Sequence, residues 1–137
     1  MAELTDSDLG IEYSRKRSRV SRKRFVAQFI EAEDAALAEP IIFDVLRHAL
    51  RGEVEQLEEL FDLMPALESR GDFWRRAATL GQACRHRGIT AGALDLLIGT
   101  VALYHSAEIV TFDQRFQDMA RVCDLKIKLL QRPNVTE

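Results

Sequence analysis

Apolar positions along this chain alternate between short runs and longer stretches with helical spacing. Residues 2–5 predict a short first strand, although its sequence, AELT, is polar. A helix is expected from about Asp8 to Arg15. Another is expected over Arg22–Ala32, where Phe25, Val26, Phe29 and Ile30 share a face. Ala35–Ala38 predicts a second strand, and Pro40 is placed to open a helix over Ile41–Arg51 that stops at Gly52. The next helix, Glu53–Met64, should turn Val54, Leu57, Leu60 and Phe61 inward. A brief extended piece at Ala66–Glu68 precedes a helix over Asp72–Arg87, with Asp72 as N-cap, Gly88 as stop, and Phe73, Ala77, Leu80 and Cys84 as its apolar stripe. Ala91–His105 is the most apolar helix, Ile109–Thr111 the clearest strand, Gln114–Val122 a helix and Lys126–Leu130 the last strand.

Short strands separated by helices imply an α/β fold, with a parallel sheet covered on both faces. In such sheets sites form beyond the carboxyl ends of the strands. Residues that directly follow a predicted strand are therefore the first candidates for chemistry.

Length and composition narrow this further. The 137 residues match one domain, taken as 1–131 with a tail at 132–137, and suffice for a core without disulfides. An apolar content of 47% with 30% charged residues excludes a disordered chain. No apolar run is long enough to span a bilayer, and the acidic opening MAELTDSD has no secretory h-region, so a cytoplasmic location is expected. Cys84 and Cys123 lack metal-ligand spacing and are expected as reduced, buried thiols. His48, His86 and His105 have no evident partners in the sequence, and Trp74 is expected in the core or an interface. The net charge of −3 conceals an asymmetry. Seven of 19 basic residues fall in the acid-free run RKRSRVSRKR at 15–24, leaving 12 basic against 22 acidic residues, or −10, elsewhere.

Four acids occupy apolar or element-terminal contexts. Asp6 follows the first strand, Asp44 lies within PIIFDVL, Asp95 interrupts GALDLLIGTVAL, and Asp113 follows IVT. An unpaired buried carboxylate costs several kcal/mol, so such residues need a partner or a metal. Plain structural roles are open to each. Asp6 and Asp113 can cap helices, Asp95 can complement a helix dipole, and Asp44 can pair with Arg47 or His48 on the next turn.

TDSDLGIEYSR resembles the opening of a PIN domain, an acid followed by a short polar step, an apolar stretch and a helix. AEPIIFDVLRHALRG is similar to that family's second block, an acid in an apolar helix ending at Gly. From RRAATLGQACRHRGIT through AGALDLLIGTVALYHSAEIVTFDQRFQDMA the chain resembles the family's C-terminal half, with a T-x-D-x-x-F motif after the strand. The resemblance runs over residues 3–130. It implies a three-layer α/β/α sandwich with a short central parallel sheet. It also implies a ribonuclease like the VapC toxins of bacterial toxin–antitoxin pairs.

Carried over residue by residue, the resemblance places the family's acidic quartet on Asp6, Asp44, Asp95 and Asp113. Asp6, Asp95 and Asp113 would hold Mg²⁺ or Mn²⁺, hard cations that want oxygen ligands, while Asp44 would orient the attacking water or act as general base. Thr111 and Ser7 would support them through hydrogen bonds. Arg15, Lys16, Arg17, Arg19, Arg22, Lys23 and Arg24 would draw in single-stranded or looped RNA that the carboxylates repel. A cognate antitoxin and a second copy of the chain are the implied protein partners, with Ala49, Leu50 and their apolar neighbours as contact residues. The sequence departs from the family pattern at Asp8, where Ser or Asn is usual, and at Asp44, where Glu is usual. Two other readings remain: a non-catalytic PIN-like module that binds RNA or protein, and a small aspartate-nucleophile phosphatase or receiver-like domain, which needs a Lys at the end of a late strand.

Overall fold

The computed structural model describes residues 1–15 and 19–132. In chain order the elements are β1 (Glu3–Thr5), α1 (Ser7–Ser14), α2 (Val20–Ile30), β2 (Ala35–Ala38), α3 (Glu39–His48), α4 (Val54–Asp62), β3 (Ala66–Leu67), α5 (Phe73–His86), α6 (Ala93–His105), β4 (Glu108–Thr111), α7 (Gln114–Met119) and β5 (Lys126–Leu129). The five strands form one sheet in the order β3-β2-β1-β4-β5, and every pairing is parallel.

The polar AELT stretch thus forms the centre of the sheet. Leu4 pairs with Ala36 on one side and Ile109 on the other. The Glu3 N–H donates to the Asp34 carbonyl at 2.8 Å, and the Asp6 N–H to Val110 at 2.9 Å. Two neighbours supply what weak strand propensity does not.

Alternate residues of the strands feed two apolar layers. Leu4, Leu37 and Ile109 face a large core built with Ile41, Val45, Leu57, Leu80, Ile98, Val101, Phe116 and Met119. Val110 faces the other way, into a smaller core with Leu9, Val26 and Ile30, bordered by Phe25, Phe29 and Phe112. The sheet is therefore covered on both faces, as the helix–strand alternation predicts. Gly99 of α6 lets two helices approach closely: a Cβ there would lie 2.9 Å from Cε of Met119 on α7. Gly88, at φ 70°, takes the left-handed conformation that ends α5.

Several local expectations are corrected. Val54 is exposed, and the neighbouring Glu53, only 2% exposed, turns inward instead. Its carboxylate accepts from the Leu50 N–H at 2.8 Å and so holds the turn between α3 and α4. Of the two places expected for Trp74, the core is excluded: it is 71% exposed and packed edge-on against Phe73. Asp72 makes no capping bond; its carboxylate takes Arg76, one turn on, at 3.0 Å. α7 stops at Met119, three residues short of the expected end, and α2 begins at Val20 rather than Arg22. Two of the histidines have partners, His48 on the Asp44 carbonyl and His105 on that of Glu68, both at 2.8 Å. Cys84 is buried, while Cys123 is only half-buried, its thiol donating to the Met119 carbonyl. Arg132, assigned to the tail, lies over the Phe112 ring at 4.4 Å. The rest of that tail, 133–137, lies outside the described residues.

Candidate metal-binding nuclease site

Two adjacent parallel strands, β1 and β4, end side by side and deliver Asp6 and Asp113 beyond their carboxyl ends. Asp6 is the N-cap residue of α1, and its Oδ1 accepts from the Ser7 N–H at 2.8 Å. Its Oδ2 accepts from the Thr111 hydroxyl at 2.7 Å. The same Thr111 oxygen accepts from the Asp113 N–H at 2.9 Å, so one hydroxyl fixes both acids. β2 runs directly into α3, whose second turn carries Asp44. The Ser7 hydroxyl donates to Asp44 Oδ2 at 2.5 Å, tying this acid to the end of β1. Asp95 enters from the first turn of α6, where its Oδ2 accepts from the Gly92 N–H at 3.2 Å.

The plain roles are filled as well. Asp113 caps α7 by accepting from the Arg115 N–H at 2.9 Å. Asp44 meets Arg47 Nε at 2.6 Å. A capping function does not account for the burial, however. Asp6 is 6% exposed, and burial, reinforced by the charge of Asp8, pushes its pKa from 3.8 to about 7 against the pull of Thr111 and Ser7. Burial likewise raises Asp8 to about 6, opposed by the Phe112 N–H and Arg132. Asp95 is raised by burial, with the charges of Asp113 and Asp44 adding to it and Gly92 and Arg115 working against it. Burial pushes Asp113 up too, but the hydrogen bonds and charge of Arg115 outweigh it and leave the group below its usual value.

Asp8 and Arg115 belong to this cluster and escaped the sequence reading as site residues. Asp8 Oδ2 accepts from the Phe112 N–H at 3.3 Å, between Thr111 and Asp113, while its Oδ1 is buried without a hydrogen-bond partner. Arg115 grips Asp113 through Nε and Nη2 at 2.8–3.1 Å and reaches Asp95 at 3.8 Å. Its position two residues after the last acid, on the first turn of the helix that follows, was the available signal.

The donor set suits a hard divalent cation: carboxylate and hydroxyl oxygens, with neither His nor Cys among them. The unpartnered Asp8 Oδ1 and the mutual repulsion of the acids both point the same way. Among the described residues no three such groups already converge as a cage, because Asp44 is turned to Arg47 and Asp113 to Arg115.

Of the basic run, Lys16 and Arg17 lie outside the described residues. Arg15 donates to the His48 carbonyl at 2.8 Å, beside the end of α3. Arg19 stands just before α2, and Arg22 turns its Nε inward, buried without a hydrogen-bond partner. Lys23 is half-buried and Arg24 exposed. The receiver-like reading loses its lysine. Lys126 pairs in register with Glu108 at the opposite, amino ends of their strands, and Lys128 bonds Glu3 at 2.9 Å.

The profile of the PIN domain family matches residues 11–122. Over 130 residues the chain is 32% identical to the VapC ribonuclease Mb1587 of Mycobacterium bovis, with 90% of this chain and 95% of the relative covered. The chain belongs to the PIN-domain family. Ribonuclease VapC11 of Mycobacterium tuberculosis matches this PIN domain to the same extent, again at 32% over 130 residues, 90% of this chain and 95% of the relative. Solved structures with the same fold include DNA-bound VapBC of Salmonella typhimurium, with a TM-score of 0.72 at 14% identity, covering 93% of this chain and 97% of that one. FitAcB of Neisseria gonorrhoeae superposes with a TM-score of 0.66 at 20% identity, over 91% of this chain and 95% of that one. The profile match begins after Asp6, so the place of Asp6 in the PIN fold rests on the register of β1 between β2 and β4. No helix among the described residues is long and apolar enough to cross a membrane.

Proposed function

We propose that this PIN domain is a divalent-metal-dependent endoribonuclease acting in the cytoplasm on single-stranded or looped RNA, as the toxin of a VapBC-type pair. The observation that carries the reading is the linkage of acids from separate elements through single residues: the Thr111 hydroxyl joins Asp6 to Asp113, and Ser7 joins Asp6, through its N–H, to Asp44, through its hydroxyl. The relatives named as VapC ribonucleases support the same activity.

Asp6, Asp95 and Asp113 are the residues that would hold Mg²⁺ or Mn²⁺, with Asp8 close by. When bound, such an ion lowers the pKa of water and offsets charge on the phosphate. The chain's own contribution is orientation. Thr111 and the Ser7 N–H fix both oxygens of Asp6. Ser7 and Arg47 hold the two oxygens of Asp44, which accepts the proton of the attacking water. Arg15, Lys16, Arg17, Arg19, Arg22, Lys23 and Arg24 provide the positive charge that brings the RNA backbone to an acidic site.

For protein partners we propose a cognate antitoxin and a second copy of the chain. Phe43, Leu50 and Trp74 are exposed, and Phe43 and Trp74 border a groove of 520 Å³ that Phe73, Leu94 and Leu97 also line. Such apolar surface on a small domain suits association.

The test is cleavage of a single-stranded RNA in Mg²⁺ or Mn²⁺ by wild type, Asp6→Asn and Asp113→Asn. Cleavage by wild type, with both variants at background and their circular dichroism unchanged, is the expected result. Activity that survives either substitution would mean a different site.

A further inference from the structure

Arg115 holds an unusual place in this cluster. Its guanidinium is the cation that binds Asp113, through Nε to both carboxylate oxygens at 3.1 and 3.0 Å and through Nη2 to Oδ2 at 2.8 Å. It also stands 3.8 Å from Asp95 and feels the charge of Asp6. Two members of the acidic quartet, Asp113 and Asp95, therefore share one organic counter-ion. The side chain is nonetheless 54% exposed and sits on the first turn of a short helix, so solvent reaches it.

A divalent ion bound between Asp95 and Asp113 must take the same oxygens that Arg115 occupies. A metal ion held by Asp113 would compete with the guanidinium for these oxygens, because two cations on one carboxylate repel each other. We propose that Arg115 is an exchangeable counter-ion: it neutralises Asp113 and Asp95 until the metal binds, and is then released to contact the RNA phosphate. Its planar fork suits that second task, because guanidinium binds phosphate as it binds carboxylate, through paired N–H donors. The exchange lowers the repulsion that the acids would suffer without a cation. It also ties phosphate binding to metal binding, since the arginine becomes available only when the acids have another partner.

This inference rests on the nuclease reading, and its test separates the two. Mn²⁺ binding is measured by calorimetry for wild type and Arg115→Ala. Removing the competing guanidinium should tighten Mn²⁺ binding by roughly two- to fivefold, the factor an exposed ion pair represents. Binding of a labelled single-stranded RNA is then measured across a salt series in Ca²⁺, with the RNA checked to be intact. Arg115→Ala should bind more weakly, and its salt slope should flatten by about 0.7, the contribution of one neutralised phosphate on a single strand. Unchanged or weaker Mn²⁺ binding in the variant would overturn the exchange, and parallel salt lines with equal intercepts would overturn the pairing with phosphate. If wild type itself binds neither Mn²⁺ nor RNA, the nuclease reading fails, and this one with it.

Discussion

The Thr111 hydroxyl lies between two acids that are far apart in sequence, donating to Asp6 Oδ2 at 2.7 Å while accepting from the Asp113 N–H at 2.9 Å. Thr111 is fully buried, so neither bond can be replaced by solvent. Thr111→Val keeps the shape of the side chain but leaves a buried carboxylate oxygen and a backbone N–H unpaired. It should cost about 1–3 kcal/mol of stability in urea denaturation. Thr111→Ser keeps the hydroxyl and removes one methyl, about 1 kcal/mol. Nuclease activity should fall with Val and largely persist with Ser. Equal losses in the two variants would show that the methyl, not the hydroxyl, matters.

The buried acids predict an inverse pH dependence of stability. In the folded chain Asp8 is raised to about 6 and Asp6 to about 7, from an ordinary value of 3.8. Between those limits the folded state binds protons that the unfolded chain has released, so the stability these groups supply is lost as pH rises. The slope is on the order of 1 kcal/mol per pH unit inside that window. Melting in metal-free buffer should therefore weaken from about pH 5 to about pH 7.5, and Asp6→Asn should flatten the trend. Mn²⁺ binding should strengthen over the same range with release of protons, because the ion takes the ionised form. A melting temperature that rises with pH in metal-free wild type would contradict this placement of Asp6.

The basic run should govern affinity for RNA more than turnover. Reversal of Arg15, Lys16 and Arg17 to Glu removes positive charge from the basic run while leaving the carboxylates in place. RNA affinity should fall severalfold or more, and the salt slope should flatten by about 0.7 for each phosphate no longer neutralised. Turnover at saturating RNA should change much less. A loss confined to turnover would assign this segment to the chemistry instead.

What the sequence determined by itself was the order and type of the elements, because apolar spacing is a local property. The stripe of Phe73, Ala77, Leu80 and Cys84 on α5 and the strand at Ile109–Thr111 needed no knowledge of their neighbours. The positions of the four acids were legible too, since each interrupts an apolar context or follows a strand. Tertiary structure decided the rest. Nothing within AELT says that it occupies the middle of the sheet; its backbone is satisfied by strands from residues 35–38 and 108–111. Glu53 and Val54 exchange faces because the Leu50 N–H needs an acceptor, which is a demand of the turn rather than of the helix. Neither Asp8 nor Arg115 interrupts an apolar context, so the chain alone does not mark them as site residues. Asp8 enters the site only because Phe112 is brought against the start of α1, a pairing that spans more than a hundred residues of sequence, and Arg115 reaches Asp95 from a separate helix. Periodicity reports what one element needs from a neighbour, whereas the pairing of charges depends on which neighbour arrives.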